Sequence, residues 1–181
     1  MIRCLITDGS ATADPRRWLD RIARWIRERV DLVQIRERDL PARELAALTR
    51  RVLALPNREY TKILINDRAD IAIACGADGL HLRDGSIDPA RFRRPGFTVS
   101  ASCHDPHDAS RFSAADYVLL GPIFHPLSKL SGSSALGVDS IREFVHRSSV
   151  PVLALGGITD QNAGACQAAG AAGIAGITYF S

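Results

Sequence analysis

Short apolar runs alternate with amphipathic segments along the whole chain. The runs are rich in Val, Ile and Leu and have the length of buried strands. They predict eight strands, over residues 2–7, 31–36, 62–65, 79–82, 98–102, 117–120, 151–155 and 174–178. Between the runs, apolar residues recur at three- and four-residue spacing, as at Trp18, Ile22, Trp25 and Ile26, which is typical of a helix with one buried face.

Helical signals follow seven of the eight predicted strands. Asp14 followed by Pro15 indicates a helix start, and Gly76 indicates a helix end. The predicted helices cover 14–28, 41–55, 69–75, about 89–93, a segment from about 105, 138–147 and 160–169. Repeated strand–helix units predict a parallel sheet, and eight of them close most simply into an α/β barrel of the TIM, (β/α)₈, type. The alternative is an open doubly wound sheet.

The barrel predicted here is small, and its usual closing helix is missing after the eighth strand. We expect residues 1–181 to form a single domain. Hydrophobic residues make up 46% of the chain and charged residues 24%, as in ordinary globular proteins. The net charge of +3 is spread along the chain, which argues against nucleic-acid binding. No apolar run is long enough for a membrane span, and the four cysteines form no C-x-x-C pair, so we expect buried free thiols and a cytoplasmic location.

Candidate chemistry clusters just past the strands, where barrels of this type carry their active sites. Basic side chains there indicate a polyanion ligand, because arginine matches phosphate oxygens with a planar fork. The polar residues that follow the strands are Gln34, Arg36, Arg38, Asn66, Asp67, Arg83, Asp84, Ser86, Ser102, His104, Lys129 and Thr178.

Two pairs of neighbouring residues suggest particular ligands. Gly156 and Gly157 follow the seventh strand, where glycines let backbone amides approach a phosphate; a tight turn is the alternative. Asn66 and Asp67 form a candidate magnesium site, with Asp84 as a second carboxylate. A helix cap at Asn66 or Asp67 and a turn at Asp84 are the simpler interpretations.

Three histidines lie near strand ends, at His81, His104 and His125, without the spacing of a zinc site. His81 is interpreted as a strand residue with a satisfied ring. His125 is a candidate acid or base beside Lys129, in a Ser/Gly-rich loop over 125–136. The 127–136 part of this loop could act as a lid or have no function.

A series of motifs along the chain carries a family resemblance through its order and spacing. They are LITD at 5–8, VQIRER at 33–38, INDRAD at 65–70, GADGLHL at 76–82, ADYV at 115–118, GPIF at 121–124, SK at 128–129 and LGGI at 155–158. In this order they resemble the thiamine phosphate synthase family, including its TenI-type thiazole tautomerase branch.

The resemblance implies a barrel homodimer in thiamin biosynthesis. The synthase joins an aminopyrimidine diphosphate to a thiazole phosphate with Mg²⁺ and releases pyrophosphate. By this resemblance, Gln34, Arg36 and Arg38 would hold the pyrimidine and its diphosphate, and Asn66 would contact the pyrimidine. Asp67 would bind the metal, Ser102 and Lys129 the diphosphate, and Gly157 and Thr178 the thiazole phosphate.

Some positions depart from the synthase pattern. Ser86 stands where the synthases have a second metal-binding Asp, Arg38 where they have Lys, and Pro126 where they have Thr. Residues 82–86 resemble the tautomerase branch, which needs no metal. The histidine of that branch directly follows the glycine after the sixth strand, where this chain has Pro122. A tautomerase and a non-catalytic phosphate-binding relative therefore stay as alternatives to the synthase.

Overall fold

A computed structural model describes residues 1–125 and 134–181. Its eight strands are all parallel and pair in chain order, and β1 pairs with β8, so the barrel is closed. The closed barrel confirms the predicted architecture over the open sheet. The strands are β1 (Ile2–Ile6), β2 (Leu32–Ile35), β3 (Lys62–Asn66), β4 (Gly79–Leu82), β5 (Thr98–Cys103), β6 (Tyr117–Leu120), β7 (Val152–Leu155) and β8 (Gly173–Gly176).

Helices surround the strands. In the described residues these are α1 (Pro15–Arg27), α2 (Ala42–Leu53), α3 (Ala69–Cys75), α4 (Asp139–Arg147) and α5 (Asp160–Ala168). The segments after β4 and β5, expected to be ordinary helices, are 3₁₀ helices at Pro89–Phe92 and Pro106–Phe112. A third 3₁₀ segment, Thr178–Phe180, follows β8.

The local signals at helix ends act as the sequence predicts. The carboxylate of Asp14 accepts a hydrogen bond from the Arg17 amide at 2.9 Å and so caps α1. Gly76 ends α3 in the left-handed conformation, with φ of 68°. Trp18, Ile22 and Ile26 of α1 are buried, and the apolar stripe therefore packs on the barrel as its spacing indicates.

The barrel interior is a layered apolar core below the polar mouth. Its buried members come from six of the strands: Cys4, Ile6, Leu32, Leu64, Leu119, Leu153 and Ala175. Filling of this kind makes a parallel barrel a packed core rather than a pore. A ligand would therefore bind at the strand ends rather than inside the barrel.

The expectation of buried free thiols is met at three of the four cysteines. Cys4, Cys103 and Cys166 are buried free thiols, but Cys75 is only partly buried, with its Sγ 3.6 Å from the Ala46 carbonyl oxygen.

Among the described residues, no helix is both long and apolar enough to cross a membrane.

The third 3₁₀ segment packs against α1. Phe180 is fully buried, and its ring meets the ring of Trp25 edge-on at 5.0 Å between centroids. The indole N–H of Trp25 donates to the Phe180 carbonyl oxygen at 2.7 Å. This short segment thus buries part of α1 in place of the expected longer strand over 174–178.

Phe180→Ala should destabilise the fold by about 3–5 kcal/mol, because it removes a fully buried aromatic ring and leaves a cavity. Urea unfolding followed by circular dichroism measures this loss. Tyr60→Ala is the matched control, since the Tyr60 side chain is exposed and its truncation should cost about 0.5 kcal/mol. Equal losses for both variants would contradict the anchoring role of Phe180.

Candidate active site

The end of β2 presents two arginines at the barrel mouth. Arg36 is half-buried, and its amide donates to the Thr7 hydroxyl at 2.8 Å, while the Thr7 amide donates to the Gln34 carbonyl oxygen at 3.0 Å. Burial of the guanidinium, together with the charge of nearby Arg38, lowers the pKa of Arg36. Gln34 itself is buried in the barrel. An anion bound at this point would relieve the crowding of positive charge.

Glu37, between these arginines, has a role that the sequence analysis did not assign. Its carboxylate is buried and accepts hydrogen bonds from the Gly9 amide at 3.2 Å, the Ala11 amide at 3.1 Å and the Trp18 indole at 2.9 Å. A buried charge is tolerated when it is hydrogen-bonded in this way. The signal available in the sequence was a single acidic residue between two arginines, just after an apolar strand.

The ends of β3 and β4 are joined through Asp67. Its backbone takes a left-handed conformation, with φ of 56°, and its amide donates to the His81 carbonyl oxygen at 2.8 Å. The Asp67 carboxylate accepts from the Arg83 amide at 3.0 Å and lies 3.6 Å from the Arg83 Nε. The Asn66 side-chain amide donates to the same carboxylate at 3.3 Å.

The helix-cap interpretation of Asn66 and Asp67 is wrong. The residue at the start of α3 is Arg68, and no side chain caps that helix. The Asp67 carboxylate points instead to the end of β4. Asn66 and Asp67 thus belong to the mouth of the barrel.

Asp84 opens on the same cavity as Asp67 but is engaged in a turn. Its carboxylate accepts from the Gly85 amide at 2.8 Å and lies 3.7 Å from an Arg111 nitrogen. The cavity has a volume of about 820 Å³. It is lined by Ile35, Glu37, Arg38, Leu40, Leu45, Asn66, Asp67, Arg68, Arg83, Asp84, Gly85 and His104.

His81 is a buried strand residue whose ring nitrogens are both hydrogen-bonded, as expected. Nδ1 lies 2.9 Å from the Ser100 hydroxyl, and Nε2 lies 2.9 Å from the Ser102 hydroxyl. Burial, aided by the positive charge of Arg36, lowers the pKa of His81 to about 3. The ring is therefore neutral at physiological pH and holds the Ser102 hydroxyl in place at the end of β5.

The other two candidate histidines differ in their surroundings. His104 lines the cavity, and its Nδ1 is hydrogen-bonded to the Gly121 carbonyl oxygen. His125 is exposed after β6. Lys129, Pro126 and most of the proposed lid lie outside the described residues.

Gly156 and Gly157 both take left-handed conformations against the segment after β6. A Cβ at Gly156 would lie 2.6 Å from the Pro122 Cβ, and one at Gly157 would lie 2.6 Å from the His125 carbonyl oxygen. Only glycine fits there, so the tight-turn interpretation accounts for both residues. Within 1–125 and 134–181, no group accepts a hydrogen bond from the Gly157 or Thr178 amide. Thr178 lies beyond β8, in the third 3₁₀ segment, and does not end a strand as expected.

The sequence matches known proteins along almost its whole length. The profile of a family described as thiamine monophosphate synthase matches residues 3–180. The chain belongs to this family. A putative thiamine-phosphate synthase of Geobacter sulfurreducens is 40% identical over 81% of this chain and 71% of its own. The thiamine-phosphate synthase of Chlorobium luteolum is 35% identical over 98% of this chain and 84% of its own.

A solved structure from the same family shares the fold. Thiamine phosphate pyrophosphorylase from Pyrococcus furiosus superimposes with a TM-score of 0.82 at 26% identity, over 98% of this chain and 85% of the other. Together with the sequence matches, it shows that this chain is a transferase-type enzyme of thiamin biosynthesis.

The mouth residues can be tested against the metal that thiamine phosphate synthases generally use, Mg²⁺. Asn66, Asp67 and Asp84 offer oxygen donors on one cavity, which suits a hard cation that keeps waters and substrate phosphates as its other ligands. The described residues contain no group of three or more acidic, His or Cys side chains arranged for a metal. The donor set thus fits a cation held largely by its substrate.

Stability should fall on acidification because of His81. Its pKa is about 3 in the folded state against 6.5 unfolded, so the unfolded chain binds an extra proton between these values. The contribution of neutral His81 to the unfolding free energy is complete above pH 6.5. It is lost as the pH falls towards 3, at up to about 1.4 kcal/mol per pH unit.

Urea unfolding from pH 7.5 to 4.5 measures this slope, and His81→Gln should flatten it. The control is His107→Gln, which changes an exposed histidine and should leave the slope as it is. If the unfolding free energy of the His81→Gln variant depends on pH as steeply as that of the wild type, His81 is not the cause of the slope.

Proposed function

We propose that this chain couples an aminopyrimidine diphosphate to a thiazole phosphate and releases pyrophosphate. The observation that carries the proposal is the joint placement of Arg38, Asn66 and Asp67 on one cavity at the barrel mouth. Cationic and amide groups face a carboxylate there, which suits a diphosphate, its counter-cation and a polar heterocycle. The names of the relatives support the same reaction.

The role of each mouth residue follows from where negative charge develops. Pyrophosphate departs as a polyanion, and Arg36, Arg38 and Lys129 would stabilise it, with Ser102 as a further donor. Gln34 and Asn66 would contact the pyrimidine. The amides of Gly157 and Thr178, which have no acceptor within residues 1–125 and 134–181, would hold the thiazole phosphate. His125 would serve as an acid or base beside them.

Magnesium is part of this proposal. Asp67 and Asp84 would hold the ion, which when bound neutralises charge on the diphosphate. A homodimer, a cytoplasmic location and one domain over 1–181 also belong to the proposal; they rest on the resemblance, the composition and the strand pattern.

A tautomerase acting on thiazole phosphate is the second candidate. The observation that favours it is the pairing of both carboxylates with arginines, Asp67 with Arg83 and Asp84 with Arg111. Ser86 supplies no carboxylate at the remaining metal position. Acid–base isomerisation would need the phosphate cradle but no metal.

Asp67→Ala should abolish coupling while leaving metal-free tautomerisation nearly intact, because only coupling requires a cation at this carboxylate. The measurement is product formation from both substrates, with and without Mg²⁺, beside isomer exchange of thiazole phosphate alone. Glu59→Ala is the control, since Glu59 is an exposed acid that does not line the cavity.

Calorimetric titration separates the candidates by binding. Binding of the pyrimidine diphosphate that becomes tighter when Mg²⁺ is added supports the synthase. Binding of thiazole phosphate alone, with no coupling, would favour the tautomerase or the non-catalytic relative, and binding of neither ligand would contradict the proposed function.

A further inference from the structure

Arg83 stands beside Asp67 at a position that the proposed mechanism does not use. Its backbone amide is held by the Asp67 carboxylate at 3.0 Å, so the start of its side chain is fixed. Its guanidinium reaches the cavity, with Nε 3.6 Å from the second carboxylate oxygen. The backbone of Arg83 is therefore fixed, whereas its guanidinium is held only loosely.

The ion pair between Arg83 and Asp67 is weak. The Arg83 side chain is 73% exposed, and exposed pairs of this kind contribute little stability. A diphosphate offers the same guanidinium several oxygens in a forked arrangement, with more negative charge than one carboxylate. The pair can thus be exchanged for a polyanion at small cost.

The neighbouring basic residue, Arg68, is committed elsewhere. It makes two hydrogen bonds with Asp70, at 2.9 and 2.6 Å, although it also lines the cavity. Arg83 makes no such forked pair with any residue in the described ranges. Of these two arginines, Arg83 is the one whose head can turn to a ligand.

We propose that Arg83 binds the diphosphate end of the substrate and gives this site an affinity for pyrophosphate that does not need a metal. The inference rests on the proposed function and refines it. Arg83 shifts from Asp67 to the phosphate oxygens when the anion binds. Asp67 opposes this shift in the absence of a cation and assists binding in its presence.

Inorganic pyrophosphate is the probe, titrated by calorimetry into the whole chain in EDTA and in Mg²⁺. In EDTA the wild type should bind, and Arg83→Gln should weaken binding by about 10- to 100-fold, the range for losing charge-assisted hydrogen bonds. Arg83→Lys should fall between them, because a point charge replaces the fork. Arg91→Gln removes an exposed arginine outside the cavity and should leave the Kd unchanged.

Asp67→Asn gives the sharper test, because its effect should change sign. Without metal it should tighten pyrophosphate binding, since Arg83 loses its competing carboxylate. With Mg²⁺ it should weaken binding, since the cation loses a ligand. Asparagine tolerates the left-handed backbone and can still accept from the Arg83 amide, so the fold is preserved.

The failures are distinguishable. Binding by the wild type that needs Mg²⁺, or an Arg83→Gln variant with an unchanged Kd in EDTA, would overturn the role of Arg83 and leave the proposed function standing. A wild type that binds pyrophosphate under neither condition would overturn both.

Discussion

The buried carboxylate of Glu37 connects three parts of the structure that have to meet for the mouth to exist. It accepts hydrogen bonds from two amides of the loop after β1 and from an indole on α1, while its own backbone lies between Arg36 and Arg38. Because a buried charge without hydrogen-bond partners is costly, the three donors have to stay within hydrogen-bonding distance of the Glu37 carboxylate. The directions in which the two arginines leave the strand depend on that requirement.

Much of the fold could be predicted from spacing alone. Strand and helix periods are local properties, and the barrel follows once eight units repeat in order. The segments after β4 and β5 were harder, because Asp88 and Asp105 cap their first turns just as Asp14 caps α1. Each is followed by Pro, so the start signals are those of an ordinary helix. Length does not separate the two kinds either, because the 3₁₀ segment Pro106–Phe112 is as long as α3.

The site was predictable in its residue types and less so in its contacts. Parallel strands bring their carboxyl ends together, which is enough to gather Arg38, Asn66, Asp67 and Asp84 on one cavity. The left-handed turn at Asp67, which directs its carboxylate to Arg83, depends on contacts across two strands. Long-range partners of that kind, like those of Glu37, leave no periodic trace in a sequence.

The close approach of Gly156 and Gly157 to residues 122–125 couples the substitutions that these two loops can accept. A side chain at either glycine would require the facing segment to move, and a bulkier facing segment would find no room above the glycines. Substitutions in the two loops should therefore be accepted jointly or not at all. A loop graft that aims to alter substrate preference would have to transplant both segments from the same donor.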